Sequence, residues 1–533
     1  MTEQRASAAN MSKKELYTLF GALMLTMLLA SLDQTIVGTA LPTIVGDLDG
    51  MGDYTWVVTA YLIATTASTP LYGKLSDLYG RRPVILVAIV IFLVASALAG
   101  LSQNMLQLIL FRGLQGLGGG GLISLAFTVV SDVVSPRERG KYQGFFGAVF
   151  GISSVAGPVL GGWLSEVDWR WIFYINLPVG LAAMIAVDQV LRRHHFPTRP
   201  RRIDWLGAAC LVPAVVCLLL AVTWGGSDYA WESAVIIGLF AASAVLTAAF
   251  IVVETRAEEP ILPLRMFRQG TFALASVIAL IFGVGMFSGI VYIPLFFQMV
   301  RGYSPTSSGL LMIPMMAGMV LTSVSSGFVI SRLGRYKWFL VAGSIVITAG
   351  LGLFTQLHVD TPLWVSSLFL LVLGIGMGMF MQPLVLAMQN IVRVEDLGAG
   401  TSTNNFARSL GGAVGTAVLG AVMTSKLNDE LAANLPGAVA QLSPQEAAGF
   451  SETDLSAVME SPTVVAHLPE PVRIVVQQAF TDGLDLVFLV AACIAAVTIV
   501  LTLFMPNLVL RGAKPPVEDP DAKACEVRAE TAP

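Results

Sequence analysis

Charged residues are scarce in this sequence. Asp, Glu, Lys and Arg make up 12% of its 533 residues, where soluble domains carry about 25%. Hydrophobic residues make up 55%, and the mean hydropathy is +0.75. A chain of this composition cannot fold in water without exposing large apolar patches. That excludes a soluble enzyme, a nucleic-acid binder and a disordered protein. The net charge is −4 and no basic tract gathers the cations, so nothing points to DNA or RNA. Cysteine is nearly absent: Cys210, Cys217 and Cys493 lie in apolar runs and Cys525 in a polar tail. This distribution argues against a disulfide framework or a four-cysteine metal site. His194 and His195 sit in a basic loop and read as solvated rather than as metal ligands. There is no P-loop, no H-E-x-x-H and no G-x-S-x-G, so neither ATP drive nor hydrolysis has a motif. The expectation is a protein that is not an enzyme, with no metal, no catalytic residues and no cofactor.

What the chain has instead is long apolar runs. About 20 residues of helix cross the hydrocarbon of a bilayer. About fourteen runs fit, at 16–39, 55–73, 84–101, 106–129, 142–163, 171–191, 204–224, 232–253, 272–293, 306–328, 338–357, 363–386, 403–424 and 483–505. The first is too long and its prefix too polar for a cleaved signal. Lys and Arg resist translocation and so choose the orientation. With fourteen spans, 25 of the 31 basic residues fall on the side of both termini. Only Arg170, Arg301, Lys426 and Arg473 fall on the other, while Arg112 and Arg408 lie within spans. Both termini are therefore expected in the cytoplasm, in a multi-pass protein of the cell membrane.

The pattern repeats. Gly73-Lys-Leu-Ser-Asp77-Leu-Tyr-Gly80-Arg81-Arg82 returns 254 residues later as Gly327-Phe-Val-Ile-Ser331-Arg-Leu-Gly334-Arg335. Both copies lie on the basic side, between a second and a third span. Six spans with short loops need only about 200 residues, so the offset leaves room for an inserted hairpin. The expected organisation is an amino tail (1–15), a six-helix bundle (16–191), a linker (192–203), an inserted helix pair (204–253) and a second linker (254–271). A second six-helix bundle (272–505) and a carboxyl tail (506–533) complete it. The second bundle carries a long polar external segment, 425–482, broken by prolines and amphipathic near 426–434 and 472–480. It reads as a solvated spacer, with a cap or partner-binding element as the other reading. Duplicated halves are a transporter signature.

Four motifs carry a resemblance. Gly73 to Arg82 resembles the loop signature of the major facilitator superfamily. Leu32-Asp33-Gln34-Thr35-Ile36-Val37 through Leu41-Pro42 resembles the first-helix motif of its fourteen-span drug:proton antiporters, with Gly38 where Asn is usual. Leu110-Phe-Arg112-Gly-Leu-Gln115-Gly116 is similar to the fourth-helix arginine motif. Gly151 through Gly157, Pro158, Gly161 and Gly162 is similar to the fifth-helix antiporter motif. The resemblance implies an all-α integral membrane protein of the major facilitator fold, and export by exchange with protons. In the second loop copy Ser331 replaces the acid, which weakens a symmetric second latch.

The residues support roles of their own. Gly73 and Gly80 permit a tight turn and close helix approach. Asp77 can pair with Arg81 or with a neighbouring helix and so latch one conformation, with Arg82 beside it. Asp33 stands alone in an apolar stretch, where a carboxylate costs on the order of 3 kcal/mol. Binding a proton relieves that cost, which makes Asp33 a candidate carrier; a structural hydrogen bond is the plainer role. Arg112 stays protonated, lies at comparable depth and can tune Asp33 directly or through water. Asp188, Asp482 and Asp485 are the reserve acids. Arg408 lies near the end of its span and is expected to snorkel. Gly157-Pro158 with Gly161 and Gly162 reads as a hinge or as close packing. Gly116 to Gly121 fits G-x-G-x-x-G but lies in an apolar helix without a preceding strand. Gly116/Gly120 and Gly374/Gly378 are expected to be helix-packing faces.

Gln34, Tyr292, Phe296, Met381 and Gln382 are the candidate substrate contacts, since aromatic and Met side chains accommodate varied apolar and cationic bodies. The expected partners are protons, the bilayer and amphipathic or lipophilic small molecules, cations among them, around a monomer with no nucleic acid. A dedicated exporter of one lipid, antibiotic or amino acid is the second reading, and a membrane sensor or enzyme on the same scaffold a remote third. The orientation is testable by side-specific labelling of Thr198→Cys and Phe450→Cys in an otherwise cysteine-free chain. Residue 450 is expected to react from outside intact cells and residue 198 only after permeabilisation; reaction of both from one side contradicts fourteen spans.

Overall fold

The computed structural model describes residues 12–48, 56–192, 203–226, 229–393, 396–442, 465, 468–507 and 509–510. Regular structure among them is helical. The spanning helices are α1 Lys13–Asp47, α2 Trp56–Tyr79, α3 Arg81–Gly100, α4 Met105–Val133, α5 Pro136–Asp168, α6 Trp171–Leu191, α7 Trp205–Trp224 and α8 Ala234–Arg256. They continue as α9 Gly270–Val300, α10 Thr306–Leu333, α11 Lys337–Phe354, α12 Leu363–Ile391, α13 Leu397–Val439 and α14 Glu470–Phe504. Thirteen are long and apolar enough to cross a bilayer. The other, α2, is long enough but diluted by Thr, Ser and Lys74. In hydrocarbon every backbone group must be satisfied within the chain, which is why helix persists through residues of poor helix propensity. Polar caps mark the ends: Ser12 and Glu15 form a capping box on α1, and Asn104, Asp204 and Ser233 cap α4, α7 and α8.

The expected repeat is visible in the packing. In the first half α2 packs on α4, α1 on α5, α3 on α4 and α1 on α6; in the second half α10 packs on α12, α9 on α13, α11 on α12 and α9 on α14. Each pairing recurs eight helices later. The glycines recur with it. Gly157 and Gly161 bring α5 against Thr35 and Ile36 of α1, and Gly411 and Gly415, offset by the same 254 residues, bring α13 against Leu280 and Val284 of α9. The halves meet along two seams, α5 with α10 and α2 with α13. The α7–α8 hairpin lies against α2 and α13, so it bridges one seam. The linker that follows it ties both halves: Lys74 Nζ is 2.6 Å from Glu259, and Arg265 donates two bonds of 2.9 Å to Asp396.

Two expectations change. The segment 425–482 is shorter as a loop than its composition suggested. Helix α13 continues to Val439 and α14 begins at Glu470. Leu427, Leu431, Val472, Val476 and Phe480 are buried in the core of the second half. The cause is the amphipathic spacing itself, because each extension finds an apolar face to cover. Residues 443–464 lie outside the described ones, as do residues 1–11, most of linker 192–203 and residues 511–533. The carboxyl tail also starts as structure: Leu510 N–H donates to the Gly334 carbonyl at 3.0 Å, and Leu510 is buried.

The glycine-rich run of α4 shows how the first half closes. A side-chain carbon at Gly116 or Gly120 would strike the backbone of Tyr61 or Thr65 in α2; one at Gly118 would strike Ala88 and Phe92 in α3. One short stretch therefore packs two neighbours at backbone contact, which is the role expected of Gly116/Gly120. Gly374 and Gly378 do the same against Met315 and Met319 of α10. Gly118→Ala is expected to destabilise the purified protein by about 2 kcal/mol through overpacking. Gly113→Ala, which meets open space, is expected to leave its melting temperature unchanged; equal effects contradict the packing role.

Candidate functional site

Asp33 is fully buried in α1 and Arg112, 1% exposed, faces it from α4. Arg112 Nη1 donates to Asp33 Oδ2 at 2.6 Å. The other carboxylate oxygen accepts from Gln115 Nε2 at 2.8 Å and from Asn176 Nδ2 at 2.9 Å. Gln115 and Asn176 also donate to Ser96 Oγ, at 2.7 and 3.3 Å. Arg112 Nη1 bonds Gln115 Oε1 at 2.6 Å, Arg112 Nε bonds the Val57 carbonyl at 3.4 Å, and the guanidinium lies 4.3 Å from the centre of the Tyr61 ring. Five of the six helices of the first half thus converge on one carboxylate. Low dielectric makes such a network strong when complete and costly when broken. The structure brings Asp33 and Arg112 into direct contact, without an intervening water. Gln115 and Asn176 were not singled out as partners from the sequence. Their signal was the same as that of Asp33: a polar residue retained in an apolar run.

At the basic face Asp77 crosses from the first half to the second. Its Oδ1 accepts the Gly398 N–H at 3.2 Å and its Oδ2 the Ala399 N–H at 3.0 Å. These are unpaired donors in the first turn of α13, where the helix dipole favours an anion. Arg81 Nη1 pairs with the same carboxylate at 2.5 Å while its Nε reaches Asp132 at 2.6 Å. Both pairings foreseen for Asp77 therefore exist together. Arg82 pairs with Asp188 at 2.6 Å on a partly exposed surface. Gly73 sits against Ser402 and the Gly398 carbonyl, with no room for a side chain. Gly80 has φ 90° and its repeat Gly334 has φ 69°, a region that favours glycine. In the second copy Gly327 packs on the backbone of Gly140, and Ser331 donates to Phe328 O of its own helix. Ser124 to Ser402 (2.8 Å) and Gln143 to Gln389 (2.8 Å) complete the closure between the halves at this face.

The antiporter-like motif acts by contact. Gly157 and Gly161 lie against α1 two to six residues beyond Asp33, at Thr35, Ile36 and Thr39, Pro158 lies against Gly309, and Gly162 faces Thr306. Thr35 Oγ1 donates to the Ser153 carbonyl at 3.0 Å on the same surface. Of the expected substrate contacts, Tyr292, Phe296 and Met381 are in the apolar core of the second half. The Tyr292 hydroxyl donates to Thr416 O at 2.5 Å. Gln34 is half-buried, and Gln382 is buried with neither amide atom bonded. Among the reserve acids, Asp482 accepts from Gln478 at 2.9 Å and Asp485 lies three residues further along α14. Arg408 corrects the sequence expectation. It does not snorkel: it is 8% exposed, eleven residues into α13. No grouping of potential metal ligands exists among the described residues.

A membrane-spanning chain of two like-paired halves, meeting along seams and holding a buried charge network in one of them, is a transporter. The chain belongs to the Major Facilitator Superfamily, whose profile matches residues 23–416. It is 40% identical over 522 residues to the multidrug transporter protein MdtP of Bacillus subtilis, covering 95% of this chain and 96% of that one. It is also 40% identical over 412 residues to multidrug resistance protein 3 of the same organism, covering 76% and 80%. Among solved structures, the proton:xylose symporter XylE shares the fold, with TM-score 0.59 at 14% identity over 93% of this chain and 97% of that one.

Asp77→Asn keeps one acceptor but removes the charge that holds both α13 and Arg81. It is expected to cut turnover roughly tenfold, the equivalent of a helix-terminus charge worth about 1.4 kcal/mol. Membrane abundance is expected to stay within about twofold of wild type, since the basic residues that set orientation remain. Normal transport by this variant contradicts the latch.

Proposed function

We propose that the protein is a drug:proton antiporter of the cell membrane, with its basic face and both termini in the cytoplasm. Protons moving inward drive amphipathic, lipophilic compounds outward. Support for export comes from the two relatives at 40% identity, named as a multidrug transporter and a multidrug resistance protein. Support for the orientation comes from the asymmetry of Lys and Arg. The observation that carries the proton step is the contact of Asp33 with Arg112, closed by Gln115 and Asn176.

The cycle follows from competition for one carboxylate. As bonded, Asp33 uses both oxygens as acceptors. A proton arriving on Oδ2 occupies the lone pair that Arg112 Nη1 uses, and it removes the charge that holds the guanidinium. Arg112 keeps its own proton, so it must then turn to Gln115, Val57 O and the Tyr61 face, which already surround it. Loss of the proton restores the pair. Because Asp33 lies on α1, beside the Gly157–Gly161 contact with α5, this change in pairing can be felt by the helix that lies along the seam. In this reading the Asp77 latch holds the cytoplasmic face closed, supported by its bonds to Gly398 and Ala399, and its release opens the other state.

Asp33→Asn is expected to insert normally and to lose uphill export from proteoliposomes under an imposed pH gradient. Arg112→Ala is expected to shift the pH optimum or uncouple transport, and Arg112→Lys to restore part of the rate if charge is what matters. Uphill export by Asp33→Asn at the wild-type rate contradicts the assignment and moves the search to Asp188, Asp482 and Asp485.

A further inference from the structure

Arg408 lies in the second half with no acid to meet it. Among the described residues no carboxylate oxygen stands within 4.0 Å of its guanidinium, and its Nη1 has no hydrogen-bond partner. Its one bonded side chain is Asn405, whose Oδ1 accepts from Nη2 at 3.2 Å. Three nearby positions on α12 and α13 also carry unpaired groups: Nδ2 of Asn404, Nδ2 of Asn405, and both amide atoms of Gln382. These four residues are between 2% and 8% exposed. Buried donors left unpaired cost about 1–3 kcal/mol each, and charged ones more. Four such buried residues, unsatisfied within the chain, ask for a partner that is not part of it.

Their common location follows from the helices. Gln389 of α12 donates to Thr401 of α13 at 3.2 Å, which fixes the level of these antiparallel helices at the basic face. Seven residues from each, about 10.5 Å at 1.5 Å per residue, lie Gln382 and Arg408. Seven residues are also close to two full turns, so both side chains keep the face on which Gln389 and Thr401 meet. Asn404 and Asn405 lie on the same stripe of α13, three and four residues from Thr401. The α12 side of this level faces the first half, where Gln389 bonds Gln143 and the Gln382 amide lies beside Gly147 of α5, while the α13 backbone at Arg408 packs on Gly283 of α9. Helical register therefore puts the four residues at a common depth near the middle of α12 and α13, with Gln382 at the seam. The charge balance there is positive, because Asp33 and Arg112 neutralise each other within the first half.

We infer that Arg408, with Gln382, Asn404 and Asn405, forms a subsite for an anionic group on an amphipathic substrate, such as a carboxylate, sulfonate or phenolate. Arg offers paired N–H donors that suit a planar oxyanion, and the amides supply donors around it. The assignment rests on the export reading and narrows it: acids are recognised at this site, where aromatic and Met content alone pointed to cations. An inorganic anion such as chloride has the same chemistry and is separated from a substrate acid by experiment.

The test uses a matched pair, pyrenebutyrate and pyrenebutyramide, which share an apolar body and differ in charge. Binding to the full-length protein in lipid nanodiscs is read by energy transfer from tryptophan to pyrene, with empty nanodiscs subtracted. The wild type is expected to prefer the acid at least tenfold, and Arg408→Gln to bring the ratio of affinities to about one, with Arg408→Lys in between. Equal affinities in the wild type, or an unchanged ratio in Arg408→Gln, overturn the proposal. If Arg408→Gln does not elute as a single species, Asn405→Leu and Gln382→Leu serve instead; each is expected to lower the ratio at least threefold, and an unchanged ratio in both overturns it. Chloride is exchanged for gluconate at constant ionic strength. Chloride binding that depends on Arg408, with no preference for the acid probe, assigns the site to the inorganic ion and also overturns it. Failure of export in proteoliposomes with the binding preference intact counts against the exporter reading alone.

Discussion

The contact between Asp33 and Arg112 constrains the whole first half. Neither charge could stand by itself at this depth, and the pair is tolerable because Gln115, Asn176, Ser96 and the Val57 carbonyl use the remaining donors and acceptors. Satisfying it requires α1, α2, α3, α4 and α6 to hold a common register. The glycines make this possible. Gly116, Gly118 and Gly120 let α4 approach α2 and α3 at backbone distance, which brings Arg112 within reach of α1 and of the Tyr61 ring. In the proposed cycle the network changes its pairing when Asp33 takes up a proton, and the groups that would receive Arg112 are already in place around it.

The second half repeats the frame but not the charges. Gly411 and Gly415 stand for Gly157 and Gly161, and Gly334 stands for Gly80. Asp77 is replaced by Ser331, and no counterpart of the Asp33–Arg112 pair recurs among the described residues of the second half. Packing is duplicated while polar groups diverge: the first half holds an internally balanced pair, and the second half holds Arg408, buried without a carboxylate partner among the described residues. The inserted α7–α8 hairpin adds a clamp, because its linker bonds Lys74 of one half and Asp396 of the other.

Much of this was legible in the sequence. The spans were readable because hydrophobic length is dictated by the bilayer, and each of the fourteen runs became a helix, with ends within eight residues of those expected except for the longer extensions of α13 and α14. Asp33 and Arg112 were readable because a charge in an apolar run is costly, and their similar depth followed from counting residues. The Gly–Arg turns were readable because positive φ selects glycine. What could not be read was which side chains meet across helices distant in sequence. Arg408 looked able to snorkel from its position, but it is buried eleven residues into α13, whose backbone there packs against α9 at Gly283. The partners of Gln389 and Asp77 in the opposite half depend on how the halves close. The 425–482 segment misled because composition reports polarity, whereas burial of one helical face depends on what lies opposite.

The central claim is that Asp33 exchanges a proton when substrate binds. The most direct measurement is the proton count itself: a transported compound is added to purified protein in weakly buffered detergent, and the pH change is recorded. The account predicts release of protons in step with substrate binding by the wild type, and none from Asp33→Asn even where that variant still binds the compound. Release of equal size from both would contradict it and leave the Asp33–Arg112 pair a purely structural element of the first half.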